Sequence, residues 1–175
     1  MIPSIEFKAG LPAFSALVYG AWRMADGADT SAQTALKKIK LCLDLGITTF
    51  DHADIYGDYR CEALFGEALK LDPGLKRQMQ IVTKCGIKLI SATSPERRVK
   101  HYDTSAAHIR QSVDNSLRLL GVERLDTLLI LRPGDDVEPV LVLVERGQVR
   151  IEAREVGPDT LKECLFRSSW RSVRL

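Results

Sequence analysis

The sequence predicts an α/β protein built on a parallel sheet, and three observations predict it. Short apolar runs ending near Gly20, Asp51, Lys84 and Leu131 alternate with stretches whose apolar residues recur at helical spacing. The alternation occurs four times at intervals of about 30 to 45 residues, and parallel strands need crossover helices of this kind. Gly46, Pro73 with Gly74, and Gly121 each close a helical stretch. Both a doubly wound sheet and a (β/α)8 barrel satisfy this pattern. In either one the working residues belong at the C-terminal ends of the strands.

After a short N-terminal segment, with a hairpin expected around "SIEF", the run "SALVYG" reads as a buried strand ended by Gly20. Asp29, Thr30 and Ser31 offer an N-cap, and Ala32, Ala35, Leu36, Ile39, Cys42 and Leu43 then repeat at helical spacing. "ITTFD" is short and β-branched, hence a strand. In "RCEALFGEALKL", Cys61, Leu64, Phe65, Ala68 and Leu69 fall on one helical face. The strand "MQIVTK" follows the Pro-Gly break, and the polar loop "SATSPERRVKHYDT" leads to a third helix striped by Ile109, Val113, Leu117 and Leu120. Gly121 stops that helix before the strand "LDTLLIL".

The rhythm breaks after Leu131. "RPGDDVEPVLVLVERGQVR" leaves little room for a fourth helix and contains Pro139, so "VLVLVE" reads as strand or helix. The ending "CLFRSSWRSVRL" carries Arg167, Arg171 and Arg174 with no acid and no periodicity. It reads as a solvated tail in preference to a basic contact surface.

At 175 residues one domain with one sizeable core is expected. A chain that is 45% hydrophobic and 27% charged, with net charge +2, is neither disordered nor collagen-like and makes no electrostatic case for nucleic acid. No apolar run approaches the roughly 18 residues of a membrane span, and the start lacks the layout of a secretion signal, so a cytoplasmic protein is expected. Cys42, Cys61, Cys85 and Cys164 have no CxxC spacing and read as reduced thiols, which also argues against a zinc site.

The strand ends carry the chemistry. They read "YGAWRM", "FDHADIYG", "VTKCG" and "LLILRP", and in a parallel sheet they converge on one rim, making Asp51, Tyr56, Lys84 and Trp22 neighbours. A tyrosine near its ordinary pKa of about 10 is a poor acid at neutral pH. An ammonium beside its hydroxyl lowers that pKa, and a carboxylate holds the ammonium charged and in place. The result is a tuned acid able to protonate a carbonyl oxygen as hydride reaches the carbon. No side chain supplies hydride, so a nicotinamide cofactor is required. The plainer alternative is an aspartate that caps a turn and a solvated lysine. His52 should point away from Asp51 if the strand persists, and reads as a turn histidine. "DHAD" suggests metal ligands, but His101 and His108 lie in a loop and on a helix and complete no cluster, so no metal is expected. There is no G-x-G-x-x-G after the first strand and no G-x-S-x-G elbow.

With these residues in hand, the sequence resembles the aldo-keto reductase family, most closely the bacterial oxidoreductases with "GYWR" and "DHADIYGGY" motifs. "GAWR", "DLGITTFDHADIYGDYRCEALFGEALKL", "IVTKCGI", "SVDNSLRLLGVERLDTLLI" and "RP" follow the pattern in order over roughly residues 5 to 133. The resemblance implies a (β/α)8 TIM barrel of which this chain holds the N-terminal half, about four βα units. It implies an oxidoreductase that binds NADP(H) on the C-terminal rim and reduces a small aldehyde or ketone. Tyr56 would be the proton donor, Lys84 and Asp51 would tune it, and Ala21, Trp22 and Asp51 would form the nicotinamide end of the cofactor and substrate pocket.

Two departures shape the expectation. The family's pattern "LLIHRPD" reads "LLILRPG" here, with Leu131 in place of a histidine that would polarise the carbonyl. Such a loss weakens reduction by about 10²-fold or more. A barrel of this kind typically takes about 250 residues, and beyond "GQVR" the family's "GKVRHFGVSNF" gives way to "IEAREVGPDTL". Residues 1–145 are therefore read as the N-terminal half-barrel and 146–175 as a divergent tail of a truncated chain. Unclosed strands expose edges and an apolar inner face, so self-association or poor folding is expected. The alternative function is a catalytically silent half-barrel that serves as a binding or assembly module or has no function.

Overall fold

A computed structural model describes residues 2–6 and 13–131, together with the backbone of two strands at 142–145 and 148–150. In chain order the elements are β1 (Ser4–Ile5), β2 (Phe14–Ser15), β3 (Val18–Gly20), α1 (Ala32–Asp44), β4 (Thr49–Asp51) and α2 (Cys61–Leu71). A 3-10 turn at Pro73–Gln78 then leads to β5 (Gln80–Cys85), β6 (Ile87–Lys88), β7 (His101–Tyr102), α3 (Ala106–Leu120), β8 (Leu125–Ile130), β9 (Val142–Glu145) and β10 (Gln148–Arg150). The main sheet runs β10-β9-β8-β5-β4-β3, and its β3, β4, β5 and β8 are parallel. This is the expected α/β alternation, four parallel strands with a helix in each of the three crossovers between them.

The helices start and stop for local reasons. Ser31 caps α1 by accepting from the Thr34 N–H, and its preceding Asp29 accepts from both Ser31 N–H and the Thr34 hydroxyl. Ser105 caps α3 in the same way through His108 N–H, and Gly121 ends it in the left-handed conformation. One face of each helix packs on one face of the sheet. Ile39 and Cys42 from α1, Phe65, Ala68 and Leu69 from α2, and Ile109, Val113 and Leu120 from α3 join Phe50, Ile81, Cys85 and Leu128 in one core. Burying an aromatic such as Phe50 or Phe65 fully contributes about 2–3 kcal/mol. The helices α2 and α3 touch at Gly66, where a Cβ would lie 1.9 Å from the Leu119 carbonyl oxygen, so only glycine admits that approach.

Three segments differ from expectation. The strand at "SALVYG" is confined to Val18–Gly20 and is half-buried to exposed, because β3 is the edge strand of the described sheet. The segment read as a polar loop contains β7, which pairs antiparallel with β6 and folds the segment back as a ribbon. Within "VLVLVE", Val142–Glu145 is a strand, β9, and it pairs antiparallel with β8 where a further parallel strand would continue the alternation. β10 pairs antiparallel with β9, and the division at residue 145 falls between the two. Pro139 and the arginines at 167, 171 and 174 lie outside the described residues. No helix among the described residues is long and apolar enough to cross a membrane.

Candidate active site

The register of the parallel strands builds the site. Gly20 lies opposite Asp51, Asp51 opposite Val82, and Lys84 opposite Leu129. Side chains alternate between faces, so Asp51 and Lys84 share the face turned away from the helices, at the C-terminal rim. The chain leaving β4 then turns, with Tyr56 N–H donating to Ala53 O at 3.0 Å, and returns Tyr56 over the same rim.

Lys84 organises what gathers there. Its Nζ donates to Asp51 Oδ1 at 2.5 Å, to the His52 carbonyl oxygen at 2.8 Å and to the Tyr56 hydroxyl oxygen at 3.0 Å. An ammonium has three N–H donors, and all three are used. The same ammonium lies 4.9 Å from the Tyr56 ring centroid. The Tyr56 hydroxyl is also 3.4 Å from Asp51 Oδ2, a long contact. Side chains of Lys84 and Asp51 are 16% and 13% exposed, so the pair is shielded but open to the rim.

Burial pushes the Tyr56 hydroxyl above the ordinary tyrosine pKa, and the Asp51 carboxylate adds to that rise, while the Lys84 ammonium opposes it. Asp51 is likewise raised by burial, with Lys84 and Tyr56 pulling it down. The expected lowering of the tyrosine pKa is therefore corrected. Lys84 acts in the anticipated direction, but desolvation and the nearby carboxylate outweigh it. The consequence is a tyrosine that keeps its proton throughout the neutral range.

Trp22 stands beside this group, its ring centroid 6.2 Å from that of Tyr56 at an interplanar angle of 29°, and is 66% exposed. Ala21, expected to line the pocket with it, has no exposed surface; its N–H donates to the Asp51 carbonyl at 2.9 Å. It ties the end of β3 to β4 and so carries Trp22 to the rim. Leu131 lies two residues beyond Leu129, half-buried, with its N–H donating to Cys85 O at 2.7 Å. The structure thus brings together Asp51, Tyr56, Lys84 and Trp22, and keeps Ala21 behind them.

His52 points to the opposite face, as alternation requires, and is a core histidine in place of the turn histidine expected. Its ring is fully buried, edge-on to Phe65 at 4.5 Å, and burial pushes its pKa down to about 3. Neither ring nitrogen has a hydrogen-bond partner among the described residues. What sequence reasoning missed is its carbonyl oxygen, the third acceptor of Lys84, which no side-chain pattern signals. It also missed two neighbouring carboxyl groups on that side, Glu62 buried and Asp54 half-buried. Asp54 accepts from Ser112 Oγ at 2.8 Å and burial raises it to about 6; Glu62 accepts from Thr83 Oγ1 at 2.7 Å and burial raises it to about 7. A signal for Glu62 exists, because Glu62, Phe65, Gly66 and Leu69 share one helical face. His101 is exposed and His108 half-buried on α3, and no group of three or more His, Cys, Asp or Glu among the described residues could hold a metal ion.

The family model described as the aldo/keto reductase family matches residues 16–164. Among curated relatives, the 6-dehydroglucose reductase of Agrobacterium fabrum is 49% identical over 134 residues, 77% of this chain and 44% of that protein. The oxidoreductase YdhF of Escherichia coli is 47% identical over 133 residues, 76% of this chain and 44% of that protein. Among solved structures, an aldo-keto reductase from Pseudomonas aeruginosa superposes with TM-score 0.63 at 28% identity, covering 76% of this chain and 48% of that one. A Klebsiella pneumoniae aldo/keto reductase in complex with NADP and acetate gives TM-score 0.51 at 26% identity, covering 71% of this chain and 38% of that one. The chain therefore spans less than half the length of the relatives it matches, and its parallel sheet is part of a barrel.

Proposed function

The chain belongs to the aldo/keto reductase family of oxidoreductases, and from that premise we propose that it carries the proton-donating part of a carbonyl-reducing site, with Tyr56 as the acid. The observation that carries this reading is the Lys84 ammonium, bonded at once to Asp51, the His52 carbonyl and the Tyr56 hydroxyl. With two of its N–H groups fixed by protein oxygens, Lys84 points the third at the phenol oxygen. When the Tyr56 proton moves to a carbonyl oxygen, the phenolate left behind already faces a cation at 3.0 Å. Asp51 balances that cation before the transfer, and its own burial makes any drift of Lys84 unfavourable.

No side chain of this set supplies a hydride; a bound nicotinamide would supply it, and NADP(H) is the form supported by the relative solved with NADP. The exposed Trp22 indole beside Tyr56 fits the flat ring of a nicotinamide, and the Asp51 carboxylate fits a neighbouring donor. The substrate is read as a small aldehyde or ketone. This reading takes residues 1–145 as the half that bears the site and 146–175 as a tail. Leu131, at the end of β8, offers no donor to a carbonyl oxygen, so turnover is read as weak.

The test is a titration of the chain with NADPH, followed by fluorescence, and then addition of an aldehyde with NADPH absorbance monitored. Saturable binding and slow oxidation are expected; Tyr56→Phe should remove the oxidation by about 10²-fold or more, and Leu131→His should raise it by about 10²-fold. An unchanged rate in Tyr56→Phe would refute the assigned acid. A second reading, of a silent module that self-associates, draws on the place of β3 at the edge of the sheet among the described residues and on Leu17, which is 36% exposed beside it. Light scattering separates them, since a monodisperse monomer with a sharp thermal transition would sink self-association.

A further inference from the structure

Tyr56 is followed by three residues in the left-handed region, Gly57 at φ 58°, Asp58 at 56° and Tyr59 at 65°. Gly57 has no alternative, because a Cβ there would lie 2.6 Å from both Ala25 Cβ and Cys61 Sγ. Asp58 and Tyr59 each carry a side chain in a conformation that costs about 1 kcal/mol, and such residues persist only where their surroundings hold them. Tyr59 is held on its hydroxyl. It accepts from the Leu89 N–H at 3.0 Å and from Arg97 Nη1 at 3.0 Å, and the Arg97 guanidinium lies 5.8 Å from the Tyr59 ring centroid. Both partners belong to the segment that leaves β5, so Tyr59 ties the loop after β4 to the loop after β5.

The tie acts next to the site. The Tyr56 carbonyl accepts from the N–H groups of Arg60 and Cys61, each at 3.2 Å, and Arg60 Nε donates to the Gly57 carbonyl at 2.8 Å. Between the fixed end of β4 and the first turn of α2, the conformation of residues 57–59 sets where the Tyr56 ring can lie. We propose that Tyr59 and Arg97 form a latch that holds this left-handed turn and thereby keeps the Tyr56 hydroxyl against Lys84. Tyr59 is a positioning residue in this account. The account rests on Tyr56 as the proton donor only for its effect on rate, and the latch itself has a readout that needs no turnover.

The experiment uses the full chain labelled with ring-13C tyrosine, which has four tyrosines, the Tyr56 signal being assigned by its loss in Tyr56→Phe. Because burial is the largest cause of the raised Tyr56 pKa, release of the ring should bring its titration midpoint down toward the ordinary value of 10.0. Tyr59→Phe, which keeps the ring and removes only the hydroxyl, and Arg97→Ala should both shift the Tyr56 signal and lower its midpoint. Arg97→Lys should restore much of the shift, and Lys88→Ala, which breaks the Lys88–Asp103 pair on the same segment, should not move it. In turnover, the two latch variants should lose about tenfold or more in kcat with the aldehyde KM unchanged. A Tyr56 signal unmoved by Tyr59→Phe and Arg97→Ala overturns the latch whatever the rates do. A signal that moves while Tyr56→Phe keeps full rate leaves the latch standing and rejects Tyr56 as the acid.

Discussion

Asp51, half-buried, and Glu62, buried, are both carboxyl groups raised above their ordinary pKa by desolvation, yet they lie on opposite sides of the same sheet and are treated in opposite ways. Asp51, on the rim face, has an ammonium at 2.5 Å. Glu62, on the helix face, has a hydroxyl from Thr83 at 2.7 Å, and Ser116 stands near without a hydrogen bond of ordinary geometry. Its neighbour Asp54 adds a like charge that raises it further. A buried carboxylate with a counter-ion stays charged and can organise a reaction; one without takes up a proton and becomes packing. The difference separates a rim face that pairs its carboxyl group with a cation from a helix side that carries a polar seam within the core.

The sharpest way to break this contrast is to remove the counter-ion. Lys84→Met should destabilise the fold by about 3 kcal/mol at neutral pH, since it leaves the shielded Asp51 without its counter-ion. Asp51 then rises further, so the loss should be largest at high pH and shrink in acid as the carboxyl protonates. Thermal or urea unfolding across pH measures it. A loss independent of pH would mean that Asp51 does not depend on Lys84 for its charge.

Glu62→Gln should have the opposite sign. Glu62 is raised from 4.5 to about 7, so between these values the folded chain holds a proton that the unfolded chain has released. Stability contributed by the protonated acid is then lost as pH rises through that window. Glutamine keeps an oxygen for Thr83 and has no charge to bury, so the variant should be more stable than the parent by about 2 kcal/mol at pH 8 and near it at pH 4. If both substitutions destabilise at pH 8, the two faces are not different in the way argued.

How much of this was legible in the sequence depends on the physics behind each feature. The parallel strands were legible because "ITTFD", "MQIVTK" and "LDTLLIL" are short, apolar and separated by helical periodicity. The period of two then put Asp51 and His52 on opposite faces, which the structure bears out. The β6–β7 ribbon was hidden because two-residue strands in a polar segment are set by backbone pairing and carry no side-chain pattern. Glu62 was hidden by its own charge, although its spacing with Phe65 and Leu69 marked a buried face. The direction of the Tyr56 shift was misjudged because burial is a property of tertiary packing, while the charges that oppose it could be read from the motif.

The smallest effect tests the hydroxyl that stands where a cation would be expected. Thr83 is fully buried, and its Oγ1 donates to Glu62. Thr83→Val keeps the shape and removes that donor. While Glu62 is protonated the bond is an ordinary neutral one, worth about 1 kcal/mol. Once Glu62 ionises the bond becomes charge-assisted and roughly twice as strong. The substitution should therefore cost about 1 kcal/mol at pH 5 and about 2 kcal/mol at pH 8, and move the Glu62 midpoint above its value of about 7. In a Glu62→Gln background the pH dependence of that cost should disappear, which a double-mutant cycle at the two pH values measures. A persistent pH dependence there would assign the titration to Asp54, whose carboxyl is raised to about 6 on the same side of the sheet.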